Sequence, residues 1–157
     1  MPTILIIDDQ STSRKILEQL VITLNDHHEV KSFADPVSAL EWAGNHEPDL
    51  VLTDYKMPNM DGVEFTRRFR NLHADTPLVV VTAVEDKEIR YLALEAGATD
   101  FLNKPIDHTE CRARCHNLLQ LSHHQRIVKN RALHLEAKVD EATREIRIRE
   151  QETLLRL

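Results

Sequence analysis

No stretch of this 157-residue chain approaches the roughly 18 consecutive apolar residues of a membrane-spanning helix, so no membrane insertion is expected. Nor is there a basic leader, because Met1-Pro2-Thr3 runs straight into an apolar segment, and no signal peptide is expected. Cysteine is scarce. Cys111 and Cys115 are too few for a disulfide framework, and they read as reduced thiols of a cytoplasmic protein. Clustered cations are missing from the front of the chain, where residues 1–106 set ten lysines and arginines against eighteen acidic residues. That balance argues against a nucleic-acid backbone as partner and suits a cation site. The last 51 residues set ten basic residues against eight acidic ones and contain neither glycine nor proline, so nothing there forces a helix to stop.

The front segment is organised by short apolar runs, each ending at a polar residue. Ile4–Ile7 leads into Asp8-Asp9, and Leu50–Thr53 into Asp54. Leu78–Val81 leads into Thr82-Ala83, and Phe101–Asn103 into Lys104-Pro105. Runs of this kind read as strands buried on both faces of a parallel sheet, whose ends share one edge. Carboxylates, one hydroxyl and one ammonium are thereby expected to meet. Glu29–Phe33 alternates, as a half-buried edge strand should.

Between these runs lie helical patterns. Ile16, Leu17, Leu20, Val21 and Leu24 form an apolar stripe preceded by Ser11, Thr12 and Ser13, which offer capping hydroxyls. Pro36 opens a short helix that closes at Gly44. Val63, Phe65, Phe69 and Leu72 mark a third helix. Glu85–Ala96, with Ile89, Leu92 and Leu94, marks a fourth that ends at Gly97. Strict alternation of strands and helices predicts a doubly wound α/β domain.

The tail has a different period. With Leu118 as position a, the a and d positions through Ile146 are Leu118, Leu121, Gln125, Val128, Ala132, Leu135, Val139, Ala142 and Ile146. All but Gln125 are apolar, which predicts a coiled coil. Arg149, Thr153 and Arg156 then break the register. A helix over the whole tail would be about 75 Å long and would need a partner for its apolar face.

Asp8-Asp9, Asp54, Thr82 and Lys104-Pro105 resemble the receiver domain of two-component response regulators. So do the loop Met57-Pro58-Asn59-Met60-Asp61-Gly62 and the run Gly97–Pro105. The resemblance covers about residues 1–120. It implies a flavodoxin-like (βα)5 fold with strand order 2-1-3-4-5, and phosphoryl transfer to Asp54 from a sensor histidine kinase or its phosphotransfer domain. Mg²⁺ is the implied cofactor. Asp9, Asp54 and the Lys56 backbone carbonyl are its implied ligands, with Asp8 acting through water. Lys104 would hold the phosphoryl oxygens. Thr82 and Phe101 would form the switch, Phe101 standing where the family often has tyrosine. Val84 and Lys56 would flank the path of hydrolytic water, and the Lys104-Pro105 bond would be cis.

The end of the tail, Arg149–Leu157, resembles the signalling helix before HD-GYP cyclic-di-GMP phosphodiesterase domains, a family that includes diffusible-signal-factor quorum-sensing regulators. Residues 121–157 would then link the receiver, as a homodimeric coiled coil, to an output domain outside this sequence. Two other readings compete: the front of a diguanylate cyclase, or a stand-alone adaptor whose long helix docks on another protein. Weaker features have plainer readings. His108, Cys111, Cys115 and His116 allow a zinc site, but thiols packed on the domain with histidines in solvent are expected. The stretch from His123 to Arg131 is mildly basic and has no interleaved aromatic residues, so it reads as a solvated helix face.

Overall fold

The computed structural model describes residues 2–24, 28–83 and 87–155, with side chains as far as residue 147. Strand β1 (Thr3–Ile7), helix α1 (Ser11–Ile22), β2 (Glu29–Phe33), α2 (Pro36–Ala43) and β3 (Leu50–Asp54) come first. They are followed by α3 (Gly62–Leu72), β4 (Leu78–Thr82), α4 (Lys87–Ala96), β5 (Asp100–Asn103) and α5 (His108–Leu155). All pairings are parallel and the order is β2-β1-β3-β4-β5, with Ile7 opposite Thr53 and Thr82 opposite Asn103. This is the flavodoxin-like topology that the motifs implied. The chain divides into two compact units, Met1–Ser122 and His123–Leu157.

The apolar strand runs are explained by what covers them. Leu5, Ile7, Val51, Leu78 and Val80 face one core, with Ala39 and Ala43 of α2, Phe65 and Phe69 of α3 and Ala93 of α4. The alternate residues Ile4, Ile6, Leu50, Leu52, Val79 and Val81 face a second core, with Leu17, Leu20 and Val21 of α1 and Cys111 and Cys115 of α5. Successive strand residues point to opposite faces, so a strand covered on both faces must be apolar throughout. Edge strand β2 is covered less: Glu29 and Lys31 are exposed, while Val30 and Phe33 are half-buried against the second and first core.

Several local expectations need correction. The hydroxyls of Ser11, Thr12 and Ser13 do not cap α1: its N-cap is Gln10, whose side chain makes no cap hydrogen bond. The chain enters this helix from Asp8, whose Oδ1 accepts the Gln10 N–H at 3.0 Å, so the acidic site shapes the turn. Carboxylates do cap later helices. Asp35 accepts from Val37 and Ser38, Asp61 from Glu64, and Asp107 from Glu110. Ile16 and Leu72 are exposed rather than buried. In α4, Leu92 and Leu94 face outward while Ala93 is buried and Ala96 half-buried, a pair three residues apart on one face. Residue size did not mark the inner face of that helix. The expected start at Glu85, and Val84 beside it, lie outside the described residues.

Gly97 leaves α4 at φ +108°, a conformation that L side chains rarely adopt. A Cβ there would also meet Arg70, 2.8 Å from its Cγ. Arg70 donates to Gly97 O at 2.7 Å, His73 O at 3.1 Å and Thr76 O at 2.6 Å, tying the end of α3 to the turns before β4 and β5. The Lys104-Pro105 peptide is cis.

Candidate functional site

Parallel strands deliver their C-terminal ends to one edge, and the reversal of strand order between β1 and β3 opens a crevice there. Asp8 and Asp9 follow β1, Asp54 closes β3, Thr82 closes β4 and Lys104 follows β5. Hydrophobic burial of the strands therefore sets the polar site. The central strands cannot slip by one residue without turning every side chain to the wrong core.

The geometry is tight. One carboxylate oxygen from each of Asp8, Asp9 and Asp54 lies within 4.8 Å of the others. Asp8 is fully buried and Asp54 nearly so. Lys104 Nζ lies 3.1 Å from Asp54 Oδ1 and 4.0 Å from Asp8 Oδ2. The Tyr55 backbone N–H donates to Asp54 Oδ1 at 3.0 Å, and Arg14 holds the Asp8 carbonyl at 2.9 Å. Lys104 is also held by its backbone, whose N–H donates to Thr82 O at 2.8 Å.

Electrostatically the site is unbalanced: one ammonium faces three carboxylates. Burial raises the Asp8 carboxyl above its usual range, and the charges of Asp54 and Asp9 add to that. The Gln10 N–H and Lys104 oppose the rise without cancelling it. Asp8 Oδ2 and Asp9 Oδ1 are buried and accept no hydrogen bond. Buried carboxylate oxygens left in this way suit a hard divalent cation that takes oxygen ligands.

The loop after β3 is built to stay in place. Met57 and Met60 are buried, Gly62 N–H donates to Tyr55 O at 2.7 Å, and Asn59 takes φ 70°. A Cβ on Gly62 would strike the Asp54 carbonyl oxygen, so glycine lets α3 begin directly beneath the site. Lys56 sits in this loop with its side chain exposed. Phe101 belongs to neither core; it is half-buried beneath the Arg90 guanidinium, 4.7 Å from its ring centroid. Sequence reasoning missed Arg90 and Arg14, because neither pairing has a short-range pattern.

The zinc reading does not fit where these side chains lie. Cys111 and Cys115 are buried in the second core with sulfurs 4.0 Å apart, while His108 and His116 are exposed. The Cys111 thiol and burial both push the Cys115 thiol up, which disfavours the thiolate a metal needs. Among the described residues, the acidic trio is the group of three or more metal-binding side chains close enough to share an ion.

Helix α5 is anchored to the sheet by Arg114, which bonds Asp100 at 2.5 Å and Glu110 at 3.0 Å. Within the second unit, Val128, Leu135, Val139 and Ile146 share the heptad seam and are 58–65% exposed. Among the described residues, no helix is long and apolar enough to cross a membrane.

Residues 4–116 match the response regulator receiver domain family. The cyclic di-GMP phosphodiesterase response regulator RpfG of Xanthomonas campestris pv. campestris is 47% identical over 156 residues, 98% of this chain but 41% of RpfG. The chain thus spans about two-fifths of that relative. The response regulator PleD of Caulobacter vibrioides is 35% identical over 117 residues, 73% of this chain and 25% of PleD. Among solved structures, the receiver domain of an HD domain-containing protein from Pseudomonas fluorescens superposes with TM-score 0.73 at 27% identity, covering 80% of this chain and 91% of that one. The receiver domain of a Pseudomonas aeruginosa sensor histidine kinase, with magnesium coordinated in its active-site cleft, superposes at 0.68 with 26% identity over 76% of this chain and 98% of that one.

Proposed function

The chain belongs to the response regulator receiver domain family, and from that premise we propose that Asp54 is its phosphoacceptor, held with Lys104, Thr82, Asp8 and Asp9 in one phosphotransfer site. The observation that carries this reading is the contact of Asp54 with Lys104 at 3.1 Å inside a cluster of carboxylates with unpartnered oxygens. A carboxylate oxygen held beside a fixed cation is placed to act as a nucleophile towards an anionic phosphoryl group.

In this reading an Asp54 oxygen attacks the phosphorus of a phosphohistidine on a sensor kinase or its phosphotransfer domain. The new O–P bond forms as the N–P bond breaks, and the imidazole leaves with the electron pair. Lys104 stabilises the charge on the phosphoryl oxygens, and the Thr82 hydroxyl donates to one of them once the acyl phosphate has formed. Asp9, Asp54 and the Lys56 carbonyl would hold Mg²⁺, with Asp8 reaching it through water. The ion supplies charge neutralisation between two anionic reactants. Asp54→Asn should abolish incorporation of a phosphoryl group from phosphoramidate in Mg²⁺, read as the mass of the intact chain. Labelling that persists in the variant would move the acceptor elsewhere.

We further propose that residues 1–120 are the phosphoacceptor module and that 121–157 link it, as a homodimeric coiled coil in the cytoplasm, to an output domain. A cyclic-di-GMP phosphodiesterase output, as in a quorum-sensing regulator, is favoured over a diguanylate cyclase. The similarity to RpfG covers 98% of the chain and so takes in nearly all of α5, whereas the similarity to PleD spans 117 residues. Sedimentation of the chain with Mg²⁺, with and without beryllofluoride, tests the dimer. A monomer under both conditions would favour the adaptor reading.

A further inference from the structure

The Arg90 guanidinium lies over the Phe101 ring, 4.7 Å from its centroid, and its Nη2 donates to Asn103 Oδ1 at 3.0 Å. Its Nε is buried and finds no hydrogen-bond acceptor. Phe101 and Asn103 stand two apart on β5 and therefore point to the same face, so one side chain of α4 spans both. A buried N–H with no oxygen nearby has the negative face of an aromatic ring as its remaining partner.

The neighbours of Asn103 give this contact its meaning. Asn103 is paired with Thr82 in the sheet, and the next residue is Lys104, whose ammonium touches Asp54. The side chain that Arg90 grips thus belongs to the residue directly before Lys104. Phenylalanine at 101 has no hydroxyl with which to hold a rotamer by hydrogen bonding. Here a cation from the facing helix provides that restraint.

We propose that Arg90 is a positioning residue of the switch, latching α4 to Phe101 and Asn103 while Asp54 is unmodified and releasing them when Asp54 carries a phosphoryl group. The inference rests on Asp54 being the acceptor. Arg90 touches no reacting atom; it sets how much the occupied state costs, and it makes that occupancy felt at α4.

The test uses the whole chain, Mg²⁺ and beryllofluoride as the phosphoryl mimic. Binding is followed by amide NMR and the Phe101 ring by its ¹³C–¹H resonances. Arg90→Leu removes a ground-state restraint, so the beryllofluoride midpoint should fall roughly two- to five-fold, the range of an exposed to half-buried cation–π contact. The free protein's Phe101 resonances should also move towards their beryllofluoride-bound positions. Arg90→Lys keeps the charge but not the planar stacking or the reach to Asn103, and should fall between. In a Phe101→Leu background only the Asn103 bond remains to be lost, so Arg90→Leu should shift the midpoint by less than it does in the wild-type chain.

An unchanged midpoint and ring spectrum in Arg90→Leu would overturn the latch. So would a shift of equal size in the Phe101→Leu background, which would assign the effect to charge alone. If Arg90→Leu does not fold, Arg90→Lys and its pairing with Phe101→Leu carry the same comparison. A wild-type chain that fails to bind beryllofluoride would sink the acceptor reading and the latch with it. Binding by wild type and variants alike would sink only the latch.

Discussion

Asp8→Asn should make the metal-free chain more stable, although it removes a charge that faces Lys104. Asp8 is fully buried, with Lys104 Nζ 4.0 Å away and an oxygen of both Asp9 and Asp54 within 4.8 Å. At an effective dielectric of about 20, the attraction to Lys104 is about 4 kcal/mol, and each carboxylate repels by about 3.5 kcal/mol or more. Repulsion therefore exceeds attraction by about 3 kcal/mol, before the desolvation of a buried carboxylate is added. Against this stands the new amide N–H pair, which needs acceptors and costs about 1–2 kcal/mol if partly unmet; the two neighbouring carboxylates can accept it. The net expectation is a gain of about 1–3 kcal/mol. Urea unfolding in chelator measures it, and a slope near 2 kcal/mol/M puts the midpoint roughly 0.5–1.5 M higher. The sign also fixes a pH trend. Because folding raises the Asp8 carboxyl above its ordinary value, the wild-type penalty is absent at acid pH and grows as pH rises through the folded-state value. The advantage of the variant should grow with it. Added Mg²⁺ should reverse the ranking, stabilising wild type more than the variant. An Asp8→Asn chain less stable than wild type in chelator at neutral pH would refute this account of the site.

Other outcomes follow from particular contacts. Arg70→Ala should cost about 2–4 kcal/mol in urea unfolding, because it strips the donor from three backbone carbonyls at once. A cost below 0.5 kcal/mol would show that water replaces the guanidinium freely. Asp35→Ala, which loses the cap of α2, should cost about 1 kcal/mol by the same assay. On the proposed coiled-coil reading, replacing Val128, Leu135 and Val139 together by glutamine should abolish self-association in sedimentation while leaving phosphoryl incorporation unchanged. Dimers that survive would place the interface outside the heptad seam.

What the sequence revealed and what it hid divide along physical lines. Strands β1, β3 and β4 were legible because burial on both faces demands unbroken apolar runs, and their polar terminators marked the site edge. Gly97 was legible because only glycine readily takes φ +108° at a helix end. The inner face of α4 was not. Its buried residue is Ala93, and alanine carries no amphipathic signal beside Leu92 and Leu94. The start of α1 misled because three consecutive hydroxyl residues suggest a cap, whereas the Asp8 carboxylate, bent back from the site, already takes the Gln10 N–H.

The same contrast explains why the acidic residues were easy to find and their supports were not. Asp8, Asp9 and Lys104 sit one or two residues beyond a strand and Asp54 is the last residue of one, so a one-dimensional pattern locates them. Arg14, Arg70 and Arg90 act at a distance set by how helices lie on the sheet, and Arg70 reaches 27 residues along the chain to Gly97. Arg14 and Arg90 fix backbone or ring positions around the site rather than joining it, whereas Arg70 holds the turns before β4 and β5 at the opposite edge of the sheet. Helices α1, α3 and α4 thus each contribute one long cation that reaches a strand end or a turn, while the strand ends themselves supply the anions. An acidic site that must stay open to a divalent ion cannot be stabilised by cations within it beyond Lys104. Placing the remaining positive charge one layer out, on carbonyls and on an aromatic face, holds the strand ends in register without neutralising the carboxylates.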